Sequence, residues 1–204
     1  MTDFVSFPES AEAFSDLQAR VQELLDTETR LPAWPFLARS GFATIYEYDR
    51  LLGVDFGAVL QALAELHGDE DVTVLGLEPE ASYYSRSYDY FPGFHIDRDS
   101  ISEGYSLGLR REPGGDSAGA LAYTLNVIAI VGSSGAWSVW GQRDWEIGIL
   151  LTPESSGPWL EVPVAWYGRD LDLDSIRSPA GWGMPLTEED RSTFWHNVRE
   201  RGSG

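Results

Sequence analysis

The sequence predicts an α+β fold, a mainly antiparallel sheet with helices packed on one side. Three observations carry that reading. Amphipathic helical segments lie near both ends of a strand-rich middle, and no regular βαβ repetition or internal repeat appears. With 204 residues and 43% hydrophobic content, the chain can bury one sizeable core, so residues 1–204 read as a single domain.

The elements follow in order. The Ser10 hydroxyl can accept from orphan amides of a first helical turn, and Phe14, Leu17, Val21, Leu24 and Leu25 then recur as one apolar stripe. Pro32 and Pro35 end that helix, because each removes a donor and the residue before each avoids helical geometry. Phe42–Tyr48 is rich in β-formers and reads as a strand. Asp55 is placed to cap a second helix running through Val59, Leu60, Leu63 and Leu66, with Gly68 as its left-handed terminator. Val72–Leu77 is a buried strand, stopped by Pro79. From Tyr83 to Gly119 the pattern weakens into Tyr, Ser, Gly and Asp, which predicts long connections with short elements inside them.

Beyond it, Ala120–Val131, Trp137–Trp140 and Trp145–Leu151 predict a three-stranded meander, with Gly132-Ser133-Ser134-Gly135 as the first turn. Period-two alternation puts Trp145, Ile147, Ile149 and Leu151 on one face, and Trp137 and Trp140 on opposite sides. The Asp170, Asp172 and Asp174 series, alternating with leucine, fits an edge strand better than a calcium loop, since the glycine and distal glutamate of an EF-hand are missing. Thr187 and Asp190 stand at capping distance before a terminal helix through Phe194, Trp195 and Val198.

Charge restricts function more than any motif does. The chain has 14 basic residues, all Arg, against 33 Asp plus Glu, a formal net charge of −19. Such a field repels polyanions and attracts cations or basic proteins, so nucleic acid is not the expected partner. The absence of Lys removes Walker, Schiff-base and lysine-base chemistry, and the absence of Cys removes thiol nucleophiles and disulfides. The longest apolar run, Leu121–Val131, is interrupted by Tyr123, Thr124 and Asn126 and is about half the ~20 residues of a membrane span. A start at Met1-Thr2-Asp3 with no basic region before an apolar stretch completes the expectation of a cytoplasmic protein.

Two constellations stand out. His95, Asp97 and Asp99 alternate, so an extended segment would turn one imidazole and two carboxylates the same way, as a divalent-metal site or a metal-assisted hydrolase needs. Against that reading, Arg98 sits among them and the spacing matches no strong metal signature; a solvated loop is the simpler account. No G-x-S-x-G elbow and no G-x-G-x-x-G turn is present, so no catalytic residue, metal or cofactor is assigned. The second constellation is aromatic: Tyr83, Tyr84, Tyr88 and Tyr90 crowd one segment. Tyrosine offers rigid contact area with a polar tip, and beside Asp97 and Asp99 it gives the composition of a protein-binding surface. Tyr83, Tyr84, Tyr88, Asp97 and Asp99 are therefore the candidate partner-binding residues.

The stretch Trp137-Ser138-Val139-Trp140-Gly141-Gln142-Arg143-Asp144-Trp145-Glu146-Ile147-Gly148-Ile149 resembles segments of small actinobacterial proteins, among them immunity partners of polymorphic toxins. That resemblance implies a small, acidic, non-enzymatic domain that occludes the active site of a basic toxin. It supplies no motif that could be carried over residue by residue. The expected function is thus an acidic binding protein with a basic protein partner, with the His95, Asp97 and Asp99 hydrolase and an assembly component as alternatives. Oligomeric state cannot be read from the chain.

Overall fold

Ser10 caps the first helix as the sequence predicts: its hydroxyl accepts from the Ala13 amide at 3.1 Å, and α1 runs Ala11–Gln22. The computed structural model describes residues 5–38, 40–164, 166–167 and 186–203, so the Asp170–Asp174 series lies outside the described residues. Phe42–Glu47 forms β2, and Tyr48–Leu51 a single turn, α2. Helix α3, Phe56–His67, ends at Gly68 with φ +72°, the left-handed conformation that glycine adopts without steric cost. Asp55 occupies the N-cap position but makes no capping hydrogen bond, because its backbone is already helical (φ −75°, ψ −17°).

Strand β3, Asp71–Glu78, leads into the region expected to be loose, and here the structure corrects the expectation. Ala81–Tyr88 is a helix (α4), Gly93–Asp97 is β4, and Ile101–Arg110 is a helix (α5). Glycine reads as a helix breaker, yet Gly104 and Gly108 lie one turn apart on α5 where any Cβ would collide with Ile96 and Phe94 of β4. Close approach of helix to sheet outweighs the propensity cost of about 1 kcal/mol per glycine. The apolar stretch from Ala120 divides into one helical turn, α6 (Leu121–Thr124), and β5 (Val127–Gly132). Then β6 (Ser138–Gln142) and β7 (Ile147–Thr152) complete the predicted meander. The last helix, α7 (Glu188–Arg201), opens with a full capping box between Thr187 and Asp190.

With β1 (Val5–Ser6) and β8 (Trp166–Tyr167), the described strands make one sheet in the order β1-β4-β3-β5-β6-β7-β2-β8, every pair antiparallel. The α+β class is as predicted. The placement of the helices is not: they cover both faces. Helices α2, α3, α5 and α6 pack with Tyr46, Val74, Phe94, Ile128 and Leu150 on one face, while α1, α7 and the segment from Leu31 to Phe36 pack with Ile45, Leu75, Ala129 and Ile149 on the other. The reason is in the strands themselves. All six residues of β5 and of β7 are buried, so neither face could be left to water. Trp137 and Trp140 do belong to opposite layers, and each is buried in its own. Among the described residues no helix is long and apolar enough to cross a membrane.

Candidate functional site

Most carboxylates of the described residues lie at the surface. Among the described residues Asp69 is the one acidic side chain that is fully buried, and it is held by neutral donors: Trp137 Nε1 at 2.8 Å and the Ser134 amide at 2.5 Å. Ion pairs form between Arg20 and Asp71 at 3.1 Å, Arg30 and Glu78 at 3.5 Å, and Arg50 and Glu47 at 3.5 Å, all partly exposed. One-to-one pairing of all 14 arginines would still leave 19 acidic groups without one, and most acids among the described residues are exposed.

The predicted aromatic segment is helical, and a helix sorts its tyrosines by face. Tyr84 points inward, fully buried, with its hydroxyl donating to Thr124 Oγ1 at 3.0 Å, and burial pushes it up to about 12. It pins α4 to α6 and offers no surface to a partner, which removes it from the candidate set. Tyr83 is 41% exposed, and its ring meets Tyr88 edge-on at 6.0 Å between centroids. Tyr88 donates to the Ala118 carbonyl at 3.3 Å, and its hydroxyl is raised above the usual value first by its hydrogen bond with Tyr83, then by desolvation and the nearby Tyr83 and Asp116. Tyr90 is fixed by a 2.7 Å bond to the Gly119 carbonyl. The result is a tyrosine ledge of Tyr83 and Tyr88 over the buried Tyr84 and the half-buried Tyr90. Tyr123 on α6 is 60% exposed, and the residue after it, Thr124, is the one that holds Tyr84. Sequence reading missed Tyr123 because α6 was taken as strand.

Asp97 and Asp99 are exposed but are not part of this ledge. Asp97 pairs with Asp71 at the start of β3, whereas α4 follows its far end, Glu78. The length of β3, roughly 23 Å at 3.3 Å per residue, separates them. Nor do His95, Asp97 and Asp99 assemble. The strand ends at Asp97, and a 3₁₀ turn over Arg98–Ser100 breaks the alternation that would have aligned Asp99. Among the described residues no group of three or more His, Asp or Glu is arranged to hold a metal ion.

A feature with no signal in the sequence is a groove of about 480 Å³ between the first turns of α3 and α5, lined by Val54, Asp55, Ser102, Glu103 and Leu107. Its floor is tight, because Gly57 lies so close to the Ser102 carbonyl that a side chain would overlap it. The chain matches no protein-family model, no curated protein sequence and no solved structure.

Proposed function

We propose that this chain is a non-enzymatic binding protein whose anionic exterior captures a basic protein partner, with an enzyme toxin that it inhibits as the best instance of the class. The observation that supports the reading is that the acidic excess is displayed rather than neutralised, beside a ledge of ordered, partly exposed tyrosines. A field of one sign steers an oppositely charged partner and raises the association rate, while rigid aromatic contacts that exclude water set the dissociation rate. The two roles fall on different residues: steering is shared among the exposed acids, Asp97 and Asp99 included, and anchoring falls to Tyr83 and Tyr88. The resemblance of Trp137–Ile149 to immunity proteins agrees with this reading. That segment itself is buried strand and turn, so it bears on the fold rather than on the contact.

The test is co-purification with the product of the adjacent gene, followed by surface plasmon resonance on the purified pair. The reading predicts a stable complex in which Tyr83→Ala and Tyr88→Ala raise the dissociation rate by about tenfold and leave the association rate within twofold. A neighbouring gene product that is acidic, or a pair that does not associate, contradicts it.

A further inference from the structure

Two side chains in the α3–α5 groove stand where water should not be wetting them: Val54 is 56% exposed and Leu107 is 62% exposed, and both line the groove. Leu107 sits one turn beyond Glu103 on α5, so an aliphatic and a carboxylate share one helical stripe. Across the groove, Val54 and the N-cap residue Asp55 supply an aliphatic and a carboxylate from the segment that enters α3. The N-cap place of Asp55 would ordinarily commit the carboxylate to the amides of the first turn; here it makes no such bond and remains available. Among the described residues the Asp55 and Glu103 carboxylates form no ion pair or hydrogen bond, and no arginine or histidine lines the groove. The lining is therefore apolar with a rim of one sign. Val54 and Leu107 lie more than half exposed, with Ala58 and Val162 half-buried beside them, whereas a small-molecule pocket encloses most of its ligand.

We infer that this groove receives a peptide segment of the basic partner that presents aliphatic side chains next to a Lys or Arg, the aliphatics covering Val54 and Leu107 and the cation meeting Asp55 and Glu103. The inference rests on the reading above and adds a second contact to it, distinct from the tyrosine ledge. Charge complementarity selects the occupant: a second copy of this chain would bring another net −19 against an acidic rim. Exposed carboxylate–cation pairs are individually weak, so loss of the two rim charges together is expected to weaken binding roughly fivefold.

The experiment uses the full chain, ¹⁵N-labelled, with three synthetic 15-residue probes: a helical Leu/Lys peptide, a version with Glu for Lys, and a version with Ser for Leu. Affinities come from fluorescence anisotropy and location from amide chemical shifts. The Leu/Lys peptide is expected to bind with shifts concentrated in residues 54–58 and 102–107, and both altered peptides to bind at least tenfold more weakly. The double variant Asp55→Asn with Glu103→Gln, and separately Leu107→Ser, should each weaken it about fivefold. Glu12→Gln with Asp16→Asn, the same change in charge on α1 across the sheet, should change it less than twofold. Equal losses from the two charge pairs, or equal binding of the Ser version, would overturn the groove while leaving the acidic-capture reading intact. Failure of every Lys peptide to bind would overturn both. Hexylamine saturating the same amides at equal affinity, or concentration-dependent self-association that Leu107→Ser abolishes, would replace the proposed occupant with a small amine or a second copy.

Discussion

Asp69 offers the sharpest test of how this acidic chain stays folded. Its carboxylate is fully buried and accepts from Trp137 Nε1 at 2.8 Å and from the Ser134 amide at 2.5 Å, tying the turn after β5 to the end of α3. Its position is set by close packing, since a Cβ on Gly132 would lie 2.6 Å from both carboxylate oxygens. Removing the carboxylate leaves two donors without an acceptor. At about 1–3 kcal/mol for each stranded group, Asp69→Ala should cost about 3–5 kcal/mol. For a chain of 204 residues that is a fall in Tm of roughly 10 °C. Asp69→Asn is the more telling variant. A carboxylate has two acceptor oxygens, whereas an amide has one and turns an NH₂ toward the second donor, so an isosteric change should still cost about 2–3 kcal/mol. Urea denaturation with a common m-value gives these differences directly, and the cycle of Asp69→Ala with Trp137→Phe should show coupling of at least about 1 kcal/mol. An Asp69→Asn protein within 0.5 kcal/mol of the parent, or additive single variants, would refute the reasoning.

Two further predictions concern titration and capping. Tyr46, Tyr48, Tyr84, Tyr90 and Tyr105 are all raised by burial, Tyr84 to about 12. Because these folded-state values lie above the unfolded value near 10, their stabilisation is complete below pH 10 and is lost as pH rises beyond it. Absorbance at 295 nm should show their ionisation coinciding with loss of near-ultraviolet circular dichroism; free ionisation within an intact fold would contradict their burial. At the other end of the scale, the Thr187 hydroxyl and amide hold Asp190 below its ordinary 3.8. The cap contribution is thus present above pH 3.8 and falls away as pH drops through the lower folded value, and Thr187→Ala should return the Asp190 titration, followed by NMR, to the ordinary range. No change on that substitution would mean the capping box does not form.

How far the sequence spoke depended on whether structure was decided locally. α1, α3, α7 and the meander were legible because caps, glycine termination and periodicity act within a few residues: Ser10, Gly68 and Thr187 all do what their chemistry dictates. α4 and α5 were not legible, since their residues are indifferent helix formers and each helix is fixed by distant partners, α5 by β4 and α4 by Thr124 of α6. Gly104 and Gly108 look like breakers until Ile96 and Phe94 are seen against them. The candidate site follows the same division. Tyr83 and Tyr88 were found by composition, but only helical phasing shows that Tyr84, between them, faces inward. The pairing of Asp55 with Glu103 across a groove depends on α3 packing against α5, residues far apart in the chain, and nothing local announces it.

Capture by an anionic exterior has one direct readout, the ionic-strength dependence of the association rate with the basic partner. If exposed carboxylates steer the encounter, raising sodium chloride from about 25 mM to 300 mM, which shortens the screening length from roughly 20 Å to below 8 Å, should slow association at least tenfold with little change in dissociation. An association rate that is flat across that range, with any weakening confined to dissociation, would contradict the account.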